Sequence, residues 1–432
     1  MTLDDASAGG DRDNSPSSRL ARRYRWNADS LLNRYFDEDV WAMDVPNKSS
    51  LDGDPNDPMR PSSATSFDLG IAPEDLLDDA PTSIWPGLMP CHFIPLLHNG
   101  GGDSLCLRIA DDGSVSEVVN WFHGGGDWTP WADNVAEAIV LDAWMPRLRS
   151  LSRVTDAASP TPPDGPDVDP VKDETTSEQI CAAIKSPRYR WAIEALNVNT
   201  MPNPAVSENE LIAWFRRHNI ARPAMDLARA TLATRNPTAP PNGDDDGCDG
   251  LTTRHPAMAW AWEAVGLDAD AHGNHRDAIE SFDRAARCSA FTTAHLRFGH
   301  GTRTDATAAM GEVESVKFGL AMLNKLQPDR IRGDDYLRRL TLRTVADQQQ
   351  SIHNYWFDIA TQFELGDRRQ LFALHMSAWD VGLPTMTQYR DVIRFVAQCA
   401  EANQADARAA VAQAHLCCIE SRYVEPDEPG NL

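Results

Sequence analysis

The sequence of 432 residues lacks long apolar runs and is short of positive charge. No stretch of about 18 consecutive apolar residues occurs, so we expect no membrane-spanning helix. The chain has 40 Lys and Arg residues against 64 Asp and Glu residues, which gives a formal charge of −24. Proteins that bind nucleic acids neutralise phosphates with clustered Lys and Arg. The composition therefore argues against nucleic acid and membrane as partners and favours a basic protein partner.

Cysteine pairs of the C-x-x-C type are also missing. Eight cysteines are scattered along the chain, and several of them lie in apolar runs. This arrangement predicts reduced, mostly buried thiols rather than a disulfide framework. The first residues are polar and acidic, without the apolar segment of a signal peptide, so we expect a cytoplasmic protein.

The usual catalytic motifs are absent as well. His123 and the glycines after it match the H-G-G-G oxyanion loop of some esterases, but the chain has no G-x-S-x-G nucleophile motif. No phosphate-binding loop with Gly-Lys-Ser/Thr occurs. Histidines stand near acidic residues in two places, around His272 and His275 and around the glycine turns near His123, without zinc-type spacing. We therefore expect no catalytic residues, no metal and no cofactor.

The stretch from Trp85 to Trp131 has the clearest local pattern. Two glycine triplets bracket two alternating runs, Ser104–Ala110 and Val115–Phe122, that predict strands, and a further strand is predicted before the first triplet at Cys91–Leu97. An Asp-Asp-Gly turn that ends at Gly113 predicts a hairpin between Ser104–Ala110 and Val115–Phe122.

Helical spacing precedes these strands at 19–43 and at Pro73–Asp79, where Pro73 occupies a first-turn position. Pro95 predicts an edge or a strand end, and Thr129 with Pro130 predicts the start of a closing helix that runs to about Ser150. The pattern predicts an α+β domain, with an antiparallel sheet and flanking helices.

This order of elements resembles the SUKH superfamily. The matching residues are Trp85, Pro95, Gly102, Asp103, Leu105, Cys106, Gly113 and Val115. The superfamily includes yeast cell-wall synthesis regulators (Smi/Knr-like) and many bacterial immunity proteins of toxin systems. The resemblance implies a non-catalytic protein-binding module.

The rest of the chain predicts helices separated by polar inserts. Trp262, Gly266, Gly273, Ala278, Phe282 and Ala285 stand at the offsets of a tetratricopeptide repeat, in which Trp262 and Phe282 would fill the groove between two helices. Weaker copies follow around Leu320 and Gly366, and helices at Gln388–Ala402 and Ala405–Arg422 would cap the stack. The predicted organisation is 1–18 disordered, 19–150 SUKH-like domain, 151–177 Pro/Asp-rich linker, 178–235 helical segment, 236–250 disordered insert, 251–424 tetratricopeptide-like all-α domain, and 425–432 disordered tail.

Residues at the glycine turns are the candidate partner-binding residues. Trp121, Trp128 and Trp131 crowd the second turn, where they can form a binding rim or pack in the core; Trp128 is expected to be the exposed one. The binding candidates are Trp85, Asn99, Asp103, Trp121, His123, Asp127 and Trp128. The candidate structural turn residues are Gly100, Gly101, Gly102, Gly113, Gly124, Gly125 and Gly126.

The sequence thus predicts an immunity-type protein that binds a protein partner such as a basic toxin domain. One alternative is a regulatory scaffold whose helical repeats form the main binding surface. A less favoured one is a metal-dependent enzyme that uses histidines near the glycine turns. The partner's identity, the oligomeric state and the packing between the two domains stay open.

Overall fold

The computed structural model describes residues 14–43, 67–99, 101–148, 151, 170–235, 250–293 and 317–423. Most of the predicted N-terminal disordered segment, linker and insert lie outside these residues, as do the 425–432 tail and Gly100. No described helix is both long enough and apolar enough to cross a membrane.

A five-stranded antiparallel sheet occupies the N-terminal half, and helices make up the C-terminal half. The N-terminal elements are α1 (Pro16–Tyr24), α2 (Ser30–Asp37), β1 (Leu69–Gly70), α3 (Pro73–Leu77), β2 (Phe93–His98), β3 (Ser104–Ile109), β4 (Val115–Trp121), β5 (Trp128–Ala132) and α4 (Val135–Trp144). The later helices are α5 (Pro170–Ala183), α6 (Pro187–Ala195), α7 (Glu208–His218), α8 (Arg222–Arg235), α9 (Leu251–Arg254), α10 (Ala259–Ala271), α11 (His275–Arg287), α12 (Phe318–Leu326), α13 (Pro328–Gly333), α14 (Asp335–Arg339), α15 (Val345–Ala360), α16 (Arg368–Trp379), α17 (Met386–Ala402) and α18 (Asp406–Tyr423). The predicted combination of an α+β part and a helical part is confirmed at this level.

The sheet is a simple meander in the order β1-β2-β3-β4-β5. The predicted hairpin joins β3 and β4 through a turn in which Gly113 has a φ of +83°, a conformation that favours glycine. Strand β1 pairs only with Leu97 and His98 at the end of β2, and the β2–β3 register shifts between Pro95 and Leu97. Pro95 therefore lies where β1 leaves the edge of β2 uncovered, which suits a residue without an N–H group.

The expectation that Thr129 and Pro130 start the closing helix is wrong. These residues lie in β5, the outer strand of the sheet, where Pro130 pairs with Val119. Because β5 has a neighbour on one side only, the missing N–H of Pro130 costs little there. Helix α4 begins three residues after β5, and the Asn134 side chain accepts a hydrogen bond from the Glu137 amide (3.0 Å).

Helix boundaries differ from the predicted ones in three further places. Helix α1 begins at Pro16, inside the segment predicted to be disordered, because Ser15 caps it and Pro16 takes the first-turn position. Helix α5 begins at Pro170, inside the predicted linker. Within the predicted helical segment 178–235, helical spacing predicts a single range at 208–233, whereas the structure has two helices there, α7 and α8, separated by left-handed backbone at Asn219 and Ala221.

Helices α10 and α11 form the predicted helical hairpin. A Cβ atom on Gly266 would lie 2.8 Å from the ring of Phe282, so the absence of a side chain lets the two helices approach. Phe282 is buried between them as expected, but Trp262 is not; its indole N–H donates to the Pro256 carbonyl (2.9 Å), and Trp260 is the buried tryptophan. The tetratricopeptide-like character of the helical region stays a prediction. The weaker copy around Leu320 also includes Gly311 and Val316 at the repeat offsets, and these two residues lie outside the described residues.

The two halves share an apolar core. A continuous cluster of buried residues runs from Leu20 in α1 through the sheet to Ile419 in α18. The imidazole of His415 in α18 lies 2.9 Å from the carbonyl oxygen of Phe93 at the start of β2. The C-terminal helices therefore cover the sheet of the N-terminal half, a contact that the sequence left open.

Candidate functional site

Both predicted glycine turns lie at the same end of the sheet. The first turn joins β2 to β3 and is closed by the Asn99 amide, which donates to the Asp103 carbonyl (3.0 Å). The second joins β4 to β5 and is closed by the Phe122 amide, which donates to the Asp127 carbonyl (2.8 Å). One carboxylate oxygen of Asp103 accepts the His123 amide (3.0 Å) and lies 3.0 Å from His123 Nδ1. The Asp103–His123 pair thus ties the two turns together.

Asn99 shapes the first turn from inside. Its side-chain oxygen accepts hydrogen bonds from the amides of Gly101 and Asp103 (both 2.9 Å), and its Nδ2 donates to Asp103 Oδ2 (3.2 Å). The residue is buried, so it cannot contact a partner directly. Asn99 therefore positions Asp103, which in turn positions His123.

In these two turns, as at Gly113 in the β3–β4 hairpin, the backbone requires glycine at one position each. Gly102 has a φ of +95°, and a Cβ atom there would lie 3.1 Å from the His123 ring. Gly126 has a φ of +78°, and a Cβ atom there would lie 3.1 Å from the Leu88 carbonyl oxygen. Both turns would change shape if these positions carried side chains.

The tryptophans of the second turn are core residues. Trp121, Trp128 and Trp131 are buried, and Asp127 is buried beside them. The expectation that Trp128 is exposed is wrong, because Trp128 lies in β5 opposite Trp121, with its ring edge-on to Phe93 (centroids 5.3 Å apart). Four of the seven candidates (Asn99, Trp121, Asp127 and Trp128) therefore shape this end of the sheet without forming its surface.

A small apolar surface does lie at the glycine turns. The Trp85 side chain is 44% exposed and Leu88 is 38% exposed, while the side chain of His123 is 43% exposed. The rings of Trp85 and His123 are 6.3 Å apart. We call Trp85, Leu88 and His123 the Trp85 surface. Leu88 was not among the partner-binding residues predicted from the sequence. The only sequence feature that could have pointed to it is the Trp-Pro-Gly-Leu segment, which also contains Trp85.

The C-terminal helices hold the loop that carries Trp85 and Leu88. The indole N–H of Trp379 in α16 donates to the Gly87 carbonyl (3.0 Å). The guanidinium of Arg422 in α18 donates to the Ile84 carbonyl (2.7 Å). A Cβ atom on Gly87, which has a φ of +91°, would lie 2.8 Å from the sulfur of Met386. Trp85 and Leu88 are thus presented by a braced loop, and a rigid loop loses little conformational entropy on binding.

A second polar pair near the first turn was missed by sequence reasoning. His98 Nδ1 and the Ser104 hydroxyl lie 2.7 Å apart at the ends of β2 and β3. Such a pair could activate a serine nucleophile, but Ser104 is fully buried and no substrate could reach its hydroxyl. Burial also lowers the pKa of His98. The pair fits a hydrogen bond inside the sheet better than a catalytic dyad.

The histidine clusters proposed from the sequence are separate in space. His272 contacts Asp268 and His275 contacts Asp270, and both histidines are largely exposed. His92, another histidine of the predicted cluster near the glycine turns, lies edge-on to His375 (ring centroids 4.8 Å apart). Among the described residues, no group of three or more His, Cys, Asp or Glu side chains is arranged to hold a metal ion.

No protein-family model, curated protein or solved structure matches this chain.

Proposed function

We propose that the protein is a non-catalytic protein-binding module and that the Trp85 surface is its main contact with a partner. The observation that carries this proposal is the exposed Trp85, held on a braced loop next to Leu88 and His123. Tryptophan is enriched among the residues that dominate binding energy. Apolar side chains on a rigid loop lose little conformational entropy when they bind a partner.

The SUKH-like order of residues suggests the kind of partner. By that resemblance the protein acts as an immunity protein that binds a toxin domain and blocks it. The formal charge of −24 suits a basic target, because opposite charge accelerates encounter and disfavours acidic competitors. The Asp103 carboxylate next to the Trp85 surface adds negative charge at the point of contact.

The test is a partner pull-down with point variants in the full-length chain. Removal of the helices is unsuitable, because they cover the sheet and brace the Trp85 loop. Trp85→Ala with Leu88→Ala is expected to weaken partner recovery at least tenfold, since truncating a central tryptophan costs about 2 kcal/mol or more. Leu342→Ala is the matched control, because Leu342 is also 38% exposed but lies in the helical region.

A regulatory scaffold is the second candidate function. The C-terminal helices also expose large aromatic side chains, Phe372 in α16 and Phe395 in α17, and Phe395 packs edge-on to Phe357 in α15 (5.7 Å). If Phe372→Ala with Phe395→Ala loses the partner while the Trp85 variant keeps it, the scaffold replaces the immunity-type module. Equal recovery by all variants would contradict both.

A further inference from the structure

A groove lined by arginines lies between α1 and the last two helices. It has a volume of about 320 Å³, and its walls come from the end of α1, from α17 and from α18. Three alanines, Ala397, Ala409 and Ala414, are buried beneath it. The α17 wall from Arg394 to Glu401 extends about 10 Å at 1.5 Å per residue, which matches three residues of extended chain. The small side chains leave room for a peptide backbone to approach the helices.

The groove contrasts in charge with the rest of the chain. Arg23, Arg25 and Arg394 line it, against the carboxylates of Asp79 and Glu401. Helix α1 and the residues after it contain four arginines and no acidic residue from Pro16 to Ala28, in a chain with 64 acidic residues. Part of this positive charge is already neutralised. A guanidinium nitrogen of Arg23 lies 3.6 Å from a carboxylate oxygen of Asp79, and one of Arg394 lies 3.2 Å from a carboxylate oxygen of Glu420.

Arg25 is the arginine that stands out. Within the part of the chain that the structure describes, its guanidinium makes no hydrogen bond or ion pair. Its backbone is left-handed, with a φ of +53° at the position after α1. Glycine usually occupies this helix-ending position, and a residue with a Cβ atom is strained there. Strained backbone often marks a functional side chain. Arg25 therefore places a free cation at the groove at a cost in backbone energy.

We propose that this groove binds an acidic peptide segment of a partner protein. An Asp or Glu carboxylate of the segment pairs with Arg25, and the small side chains of the segment lie over the alanines. Charge complementarity selects this occupant, because a basic or neutral segment would leave Arg25 unpaired and would bring no counter-charge to the rim. The site is separate from the Trp85 surface and does not depend on the function proposed above.

The test measures the binding of a fluorescein-labelled Glu–Ala peptide of 12 residues by fluorescence polarisation. The key variant is Arg25→Gly, because glycine relieves the left-handed backbone and removes the cation at the same time. We expect this variant to unfold at the same or a higher temperature than the wild type, yet to bind the peptide about tenfold more weakly. A purely structural role for Arg25 would not separate stability from binding in this way. Arg394→Gln is expected to weaken binding less than Arg25→Gly, because Arg394 already lies 3.2 Å from the Glu420 carboxylate.

Arg276→Glu is the control for net charge. Arg276 is exposed near the N-terminus of α11, where an acidic residue suits the helix dipole, and it lies outside the groove. This variant should bind the peptide as the wild type does, and wild-type binding should weaken between 50 and 300 mM NaCl, roughly the range over which salt screens exposed charges. The proposal is overturned if the wild type fails to bind the peptide, if Arg25→Gly binds it equally well, or if only inorganic phosphate binds. If Arg25→Gly no longer binds the peptide but still binds the native partner, the function proposed for the Trp85 surface is unaffected.

Discussion

At the scale of single residues, buried titratable groups join the sheet to the C-terminal helices. His415 is fully buried against Phe93, and burial lowers its pKa to about 4. Burial lowers the pKa of His375, which stacks on Trp379, to about 4 as well. Between pH 6.5 and 4 the unfolded chain therefore binds protons on these residues that the folded chain does not. Stability from both histidines is lost as the pH falls through this window.

His415→Gln is expected to reduce this pH dependence. Glutamine keeps an N–H group for the Phe93 carbonyl but does not titrate. Between pH 7 and pH 5.5 the wild type should lose about 1 kcal/mol of unfolding free energy through His415, and the variant should not lose it. Urea unfolding at the two pH values measures the difference. An unchanged difference in the variant would mean that His415 does not stay neutral in the folded protein.

Asp142 provides a control of opposite sign. Burial raises its pKa to about 7, although its carboxylate accepts the Phe67 amide (3.0 Å). Here the folded chain binds the extra proton, so lowering the pH from 7 to 5.5 relieves a penalty of about 1.5 kcal/mol. Asp142→Asn should be more stable than the wild type at pH 7, and this advantage should shrink by about 1.5 kcal/mol at pH 5.5.

At the scale of elements, close helix packing depends on glycine at one position of α10. An alanine at Gly266 would place its Cβ atom 2.8 Å from the Phe282 ring, in a buried contact that cannot easily give way. Gly266→Ala is therefore expected to destabilise the protein by about 1–3 kcal/mol, although alanine is normally the better helix former. Thermal or urea unfolding measures the change.

Gly333 in α13 is the matched control for this substitution. A Cβ atom there would meet no atom within 4 Å, so Gly333→Ala should be neutral or slightly stabilising. If both variants behave alike, the approach of α10 to α11 does not depend on the missing side chain.

At the scale of the whole molecule, the helical region determines how the Trp85 surface is presented. Trp379→Phe removes the indole N–H that bonds to the Gly87 carbonyl while keeping most of the buried ring. We expect faster amide exchange at residues 84–89 and weaker partner binding, although Trp379 is itself buried below the surface. Hydrogen–deuterium exchange followed by mass spectrometry measures the first effect.

Trp214→Phe controls for the loss of a tryptophan N–H in general. Trp214 is nearly buried and donates to the Thr200 carbonyl (3.0 Å) in the middle of the chain. Exchange at 84–89 should stay unchanged in this variant. Equal protection of the loop in Trp379→Phe and the wild type would show that the C-terminal helices do not brace it.

Some long-range contacts of the whole molecule left no trace in the sequence. Arg188 at the start of α6 donates to the carbonyls of Val40, Trp41 and Phe67, which belong to segments more than a hundred residues away. Nothing in the local pattern around Arg188 distinguishes it from an exposed helical arginine. Backbone carbonyls are present at every residue, so no sequence motif marks the ones that accept such bonds.

The sequence by itself determined the features that local periodicity and turn chemistry control. Alternating apolar residues predicted β2, β3 and β4, and the turn that ends at Gly113 predicted the hairpin between β3 and β4. Gly266 and Phe282, at the offsets of a tetratricopeptide repeat, predicted the helical hairpin. Only the tertiary structure decided that Thr129 and Pro130 continue the sheet, that Trp128 is buried, that Trp85 is exposed on a braced loop, and that arginines distant in the chain meet at one groove. The reason is physical: a residue's period and turn preference depend on its neighbours in sequence, whereas its burial depends on which distant element packs above it.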